Sequence, residues 1–264
     1  MKTTLIIATY DWPKALEAVL LSVVKQSLLP DEIIIADDGS TKETKLLIDR
    51  YSQKFNTKLQ HIWQVDNGFQ KTSILNKAVA RAKGEYIIQI DGDILLHHHF
   101  IKDHISTAKK GTFIHGSRVF INKKITKEIL SKLTFKFSIF KTGISNRFNG
   151  LHTTYLSKII SSKNNSLTGT RGCNFSFWKT DFKKVNGYNE DMKGWGKEDT
   201  ELSVRLMNIG LQKYKLKCLA ICYHLHHNFS TREGMNINNT ILATTIKKNK
   251  ISCANGINKY ANGN

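Results

Sequence analysis

The sequence predicts an α/β fold in which a mostly parallel central sheet is flanked by helices. Short β-branched runs alternate with segments of helical periodicity through the first 95 residues, the pattern of strands joined by crossover helices with both sheet faces covered. Two of the runs end in acid clusters, Asp37-Asp38-Gly39-Ser40 and Asp91-Gly92-Asp93. In an open α/β sheet, ligands bind just beyond the carboxyl ends of the strands.

Leu5-Ile6-Ile7-Ala8-Thr9 reads as the first strand. Tyr10-Asp11-Trp12-Pro13 then opens a helix, with Asp11 as cap and Pro13 in the first turn. Leu16, Val19, Leu20 and Val23 recur at helical spacing along it. Residues 32–36 form the second strand, beyond Pro30. Ser40-Thr41-Lys42-Glu43 has capping-box spacing, so Ser40 is expected to cap a helix that reaches about Tyr51. Residues 59–63 form the third strand, and residues 73–82 a helix closed by Gly84. The fourth strand, 86–90, ends in Asp91-Gly92-Asp93. The glycine lets backbone approach closely, and the two carboxylates suit Mg2+ or Mn2+ held against a diphosphate. A solvated turn also carries an Asp-x-Asp, and the surrounding motifs must decide between the two.

His97-His98-His99 follows as a loop or helix start; three consecutive imidazoles do not converge on one ion from a strand or a helix. From Arg118 to Arg171 the chain carries 11 Lys and Arg against one acid, Glu128, roughly half of the net charge of +19. Such a balance favours acidic partners: phosphorylated substrates, anionic lipid or nucleic acid. Phe135, Phe137, Ile139 and Phe140 are interleaved with Lys132, Lys136 and Lys141. That pattern suits a solvated basic face over a core, or an interfacial patch for anionic membrane lipid. No nucleic-acid motif accompanies it.

The 264 residues suffice for a full core. None of the four cysteines forms a Cys-x-x-Cys pair, which argues against a zinc ribbon or a thioredoxin-like site and for reduced cytosolic thiols. The apolar run at residues 5–8 is too short for a secretory signal, and no run of 18 apolar residues exists. A protein that does not span a membrane is expected.

Motif density returns at Arg171-Gly172-Cys173-Asn174-Phe175-Ser176, a turn leading into a strand. Gly194-Trp195-Gly196-Lys197-Glu198-Asp199 runs directly into a helix over 200–208, with Leu202, Leu206 and Ile209 on one face and Gly210 closing it. Glu198 and Asp199 thus sit in a first turn, where the helix dipole favours their ionised forms by about 0.3–1 kcal/mol. Residues 219–223 read as a further strand entering His224-Leu225-His226-His227. In a continuing strand His224 and His226 share a face; if the chain turns, His227 joins His224 instead. The tail is a helix to about Lys248 followed by a Gly/Asn-rich end.

Ala8-Thr9-Tyr10, Asp37-Asp38-Gly39-Ser40 and Asp91-Gly92-Asp93, in this order, resemble glycosyltransferase family 2. The implied fold is GT-A, a single Rossmann-like domain. The Arg171 to Ser176 and Gly194 to Asp199 blocks are similar to those shared by β-1,4-galactosyltransferases and bacterial chondroitin polymerases. Asn239-Thr240-Ile241-Leu242 and residues 253–259 resemble bacterial glycan-assembly members. The resemblance implies a nucleotide-sugar-binding half (1–95), a basic variable segment (96–170), an acceptor and catalytic half (171–230) and a helical tail (231–264).

By the same resemblance, Thr9, Tyr10, Asp38, Lys71, Asn76 and Asp91 bind the donor, with Asp38 accepting from the uracil ring. Asp93 is the direct metal ligand, and His224 and His227 are further candidates. Asp199 is the catalytic base and Glu198 stands with it in the catalytic pair, while Glu198, Trp195 and Arg171 belong to the acceptor pocket. Lys197 departs from the pattern, standing where the family has the second glycine of Trp-Gly-Gly-Glu-Asp. The implied activity is inverting transfer of a sugar from a UDP-class donor to a glycan or lipid-linked glycan. The setting is bacterial surface polysaccharide or lipopolysaccharide synthesis, in the cytoplasm or peripherally on the inner face of the cytoplasmic membrane. One competing reading is a nucleotidyltransferase, whose Gly-rich basic loop after the first strand is replaced here by Tyr10-Asp11-Trp12-Pro13. The other is a basic nucleic-acid- or membrane-surface-binding protein without catalysis, which the ordered acid motifs do not explain.

Overall fold

A computed structural model describes residues 1–136, 138–228 and 234–260. Phe137 of the basic stretch and the last residues of the Gly/Asn-rich end lie outside the described residues. The first half alternates strand and helix: β1 (Thr3–Thr9), α1 (Pro13–Val24), β2 (Glu32–Asp37), α2 (Lys42–Ser52), β3 (Lys58–Trp63), α3 (Lys71–Arg81) and β4 (Tyr86–Asp91). The middle contributes β5 (Ile94–Leu96), α4 (Phe100–Thr107), β6 (Thr112–His115), β7 (Arg118–Ile121), α5 (Lys123–Lys132), β8 (Ile144–Ser145), α6 (Thr154–Ile160) and β9 (Ser162–Asn164). Beyond it come β10 (Asn174–Trp178), α7 (Lys179–Lys184), α8 (Glu198–Asn208), β11 (Gln212–Lys215), β12 (Cys222–His224) and α9 (Met235–Lys247).

The eight-stranded sheet runs β3-β2-β1-β4-β10-β6-β11-β9. Strands β1 to β4 are mutually parallel, as expected; β10 is antiparallel to both its neighbours, β4 and β6. Leu5 and Ile7 of β1 enter one apolar core and Ile6 and Ala8 the other, so both faces are covered and the strand reads as continuously apolar. Leu5, Ile6 and Ile7 each contribute roughly 1.5–3 kcal/mol by leaving water.

A second sheet, β5-β12-β7-β8, was not foreseen. The strand expected at 219–223 is shorter and later, Cys222–His224, because Cys218 and Ala220 take left-handed backbone. The basic middle is woven into both sheets through β6 to β9. It leaves Phe148 79% and Tyr155 73% exposed. Among the described residues, no helix is long and apolar enough to cross a membrane.

Two expected caps do not form. Asp11 has φ 38° and its Oδ1 accepts from Thr41, while Trp12 stands at the start of α1 without a side-chain cap. Ser40 Oγ accepts from the Asp11 backbone N–H, so it is unavailable to α2, which begins from Thr41. The α1 and α2 entrances are thereby tied to each other. Helix α3 starts two residues earlier than expected and ends before Gly84, where a Cβ would lie 2.5 Å from Thr4 Oγ1.

Candidate active site

The carboxyl ends of β1, β2 and β4 open into a cavity of about 390 Å3 whose wall includes Thr9, Tyr10, Asp38, Lys71, Asp91, Asp93, Trp195, His224 and His227. Position follows from topology, since the crevice of an α/β sheet lies where the strand order reverses, here between β1 and β4. Gly92 is required by contact: its N–H donates to Ala8 O at 2.6 Å, and a Cβ would sit 2.9 Å from Thr9 Oγ1.

On one side, Asp38 accepts from Gln64 Nε2 at 2.6 Å and from the Gln70 backbone N–H at 2.9 Å. Burial pushes its carboxyl up to about 6 despite both bonds. Tyr10 stands at the rim, its hydroxyl donating to Asp66 at 2.9 Å. Lys71, the first residue of α3, is 2.6 Å from Asp91 Oδ1. Asn76 does not reach the cavity. It is fully buried and bonds the Tyr188 backbone N–H and carbonyl together with Glu190. The donor contact expected of it is therefore not formed: its amide is spent on holding the loop that carries Tyr188.

At the other side, β5 pairs with β12 so that His224 lies opposite Ile94, next to Asp93. The chain then turns, and His227 rather than His226 joins the cluster; the His226 backbone N–H goes to Thr126 Oγ1. Asp93 Oδ2 is 3.2 Å from His227 Nε2 and 3.6 Å from His224 Nε2. One ligand atom from each of the three residues lies within 4.8 Å of the others. Asp93 Oδ1 is buried without a hydrogen-bond partner among the described residues, an arrangement that costs roughly 1–3 kcal/mol unless a ligand meets it. Burial pushes the Asp93 carboxyl up, but the His227 hydrogen bond and both imidazoles outweigh it and hold the group below its ordinary value. The bond to Asp93 pushes His227 up to about 8.

Glu198 and Asp199 lie at the start of α8 but outside the cavity wall proper. Asp199 Oδ2 accepts from the Gly172 N–H at 2.6 Å and Oδ1 from the Tyr188 hydroxyl at 3.0 Å. Gly172 tolerates no side chain, because its Cβ would meet Asp199 Oδ1 at 2.3 Å. Tyr188 in turn accepts from Gln89 Nε2 at 2.9 Å. The helix dipole was expected to keep both acids ionised. Burial prevails instead: it pushes Glu198 up to about 7 with help from Asp199, and raises Asp199 although the Lys71 ammonium opposes it. Lys197 occupies the left-handed region at φ 74°, which explains a glycine preference at its position. Arg171 is exposed and outside the cavity wall, so it is not brought together with Trp195.

Three residues here escaped the sequence reading. Tyr188 holds Asp199, Gln89 holds Tyr188 and the Gly172 carbonyl, and Arg118 lines the cavity with its guanidinium 4.4 Å over the Phe120 ring and its Nε buried without a partner among the described residues. A polar Gln89 inside an otherwise apolar strand was the available signal; Arg118 was one of many basic residues.

Fold and crevice together define a GT-A protein, and comparison with known sequences specifies the family. Residues 4–184 match the model of glycosyl transferase family 2, and residues 158–228 match the N-terminal domain of galactosyltransferase. The chain belongs to glycosyltransferase family 2. It is 26% identical over 223 residues to a hyaluronan synthase of Pasteurella multocida, covering 78% of this chain and 23% of that one. The chain thus spans about a quarter of that relative's length. Among solved structures, it resembles S. aureus TarS 1-349 in complex with UDP (TM-score 0.63, 18% identity, 93% of this chain and 65% of that one). It also resembles GalNAc-T7 with UDP, GalNAc and Mn2+ (TM-score 0.65, 15% identity, 86% and 44%).

Proposed function

We propose that the chain transfers a sugar from a UDP-class nucleotide donor to a hydroxyl of a glycan or lipid-linked glycan, with inversion, in bacterial surface polysaccharide or lipopolysaccharide assembly. The observation that carries this reading is Asp93, with an orphaned buried oxygen and two imidazoles beside it, in the same cavity as Asp38 and the Lys71–Asp91 pair. Asp93, His224 and His227 offer the mixed oxygen and nitrogen donors that suit Mn2+, and Mg2+ is compatible with the carboxylate. A bound divalent ion would neutralise the charge of a diphosphate leaving group.

The chain's own groups supply the rest. Thr9, Tyr10 and Asp38 receive the base, with Asp38 accepting from a ring N–H. Lys71 orients Asp91 toward the ribose. Arg118, whose Nη1 donates to Cys173 Sγ and whose Nε has no partner among the described residues, lines the cavity as a cation suited to phosphate oxygens. Asp199 takes the proton from the acceptor hydroxyl, with Trp195 and Glu198 framing the acceptor sugar. A single base acting in one displacement step inverts the anomeric centre, as in inverting glycosidases.

The basic, aromatic middle supports a peripheral seat on the inner face of the cytoplasmic membrane, near a lipid-linked acceptor. Phe148, Tyr155 and Ile159 are exposed among Arg147, Lys158 and Lys163. A panel of nucleotide sugars with Mn2+, scored by thermal shift and donor hydrolysis, tests the reading. Stabilisation and hydrolysis with one UDP-sugar, abolished by EDTA, are expected; full activity in EDTA would remove the metal role.

A further inference from the structure

We propose a second divalent-metal site, of zinc chemistry, formed by His97, His152 and Asp103 at the far end of the β5–β12 strand pair. The pairing that sets His224 beside Asp93 continues away from the cavity, where the His97 N–H donates to Ile221 O at 3.0 Å and the Ala220 N–H donates to Asp103 Oδ2 at 2.9 Å. The three residues of β5 lie between Asp93 and His97, four steps of strand or roughly 13 Å, so the two clusters are distinct sites.

The second cluster gathers side chains from three places. His97 follows β5, Asp103 lies in α4, and His152 precedes α6 in the basic segment. His152 Nε2 is 2.9 Å from Asp103 Oδ2, and the His97 and His152 rings stack at 4.5 Å with 16° between planes. His99 adds a further imidazole, 5.3 Å from His152. One ligand atom each from His97, Asp103 and His152 lies within 4.8 Å of the others. Zinc binds such atoms at about 2.0–2.1 Å, which separates tetrahedral neighbours by roughly 3.3 Å. Each imidazole binds an ion in its own ring plane, so ligation requires the two rings to swing out of their present stack until both planes converge on the ion. Two imidazoles and a carboxylate, with water in the fourth position, are a zinc donor set.

The site would clamp the basic segment to the core. His152 is flanked by Thr153, whose N–H donates to Cys218 O at 3.0 Å, and lies between the exposed Phe148 and Tyr155. Zinc there fixes the surface on which those rings are displayed. The inference does not depend on the sugar-transfer reading.

The test uses the full chain carrying Asp93→Ala, which leaves the first cluster without its carboxylate. After dialysis against micromolar zinc, one zinc per chain is expected by elemental analysis. A rise in Tm of about 5–10 °C is expected at a hundredfold excess over Kd. Adding His97→Gln and His152→Gln, which keep polar side chains but not imidazole ligands, should abolish both effects. Zinc held only above about 100 µM, or retained by the triple variant, would overturn the site. If the triple variant does not fold, modification of His152 by diethylpyrocarbonate in the Asp93→Ala chain decides. Protection by zinc supports the site, and unchanged modification refutes it.

Discussion

Asp93 and Asp199 both lose most of their water, yet their carboxyls move in opposite directions. Asp93 is held below its ordinary value by two imidazoles, while Asp199 is raised by burial and by the nearby Asp91, and Glu198 beside it reaches about 7. The difference lies in the counter-charges. Asp93 faces His224 and His227 directly, whereas Lys71 is shared among Asp91, Asp199 and Glu198. Acids driven apart by their surroundings are suited to different tasks: one to stay charged beside a cation, the other to exchange a proton.

The largest expected effect breaks the proton-exchanging side. Asp199→Asn keeps the shape and an acceptor for the Gly172 N–H but removes the base, so kcat should fall about 10²–10⁴-fold with donor affinity nearly unchanged. Transfer within about tenfold of wild type would exclude Asp199 as the base. On the charge-holding side, Asp93→Asn should weaken Mn2+-dependent binding of the donor by at least about 10–100-fold, the loss that follows even when only a group supporting a metal ligand is altered. Titration calorimetry with UDP, with and without the ion, checks it. Equal affinities would show that the ion is bound elsewhere.

How far the two sides were legible differs as well. The Asp93 side was readable because its signals are local: an apolar run, then acid-Gly-acid, and His224 and His227 within four residues of each other. The fold of the first half was readable for the same reason. The Asp199 side was read only as a motif. What holds Asp199 comes from Gly172, Tyr188 and Gln89, which are distant in sequence and meet through the antiparallel pairing of β10 with β4. The second sheet was missed because β5 and β12 have three residues each, too few for periodicity to register. Asn76 was assigned by resemblance alone, and nothing local in the sequence marks its buried partners, Tyr188 and Glu190, more than 100 positions away.

A smaller effect sharpens the acid pair through pH. Glu198 has an ordinary value of 4.5 and reaches about 7 in the fold. Between these values the folded chain binds a proton that the unfolded chain has lost, so stability falls as pH rises through about 5 to 7 and is level above. For activity the sign is reversed: the pair must give up its proton, so kcat/KM should rise with pH over the same window. Glu198→Gln removes the adjacent charge. The rising limb of the pH profile should then move to lower pH, and the stability slope should shrink. An unmoved limb would assign the titration to another group, with Asp38, pushed up to about 6, the first to examine.

The smallest expected effect concerns the loop that leads into Asp199. Lys197 is exposed and takes φ 74°, a conformation that costs a residue with a Cβ about 1–2 kcal/mol. Lys197→Gly relieves that strain but adds roughly 1 kcal/mol of unfolded-chain freedom. The net gain is about 0–1 kcal/mol, a rise in Tm of at most about 4 °C. Backbone position at Asp199 is then unchanged, and kcat should stay within about twofold of wild type, since no group at the reacting atoms is lost. A fall in Tm together with a loss of kcat would mean that the Lys197 side chain itself makes a contact during turnover. The asymmetry between the two acid ends would then extend to the loop over the second.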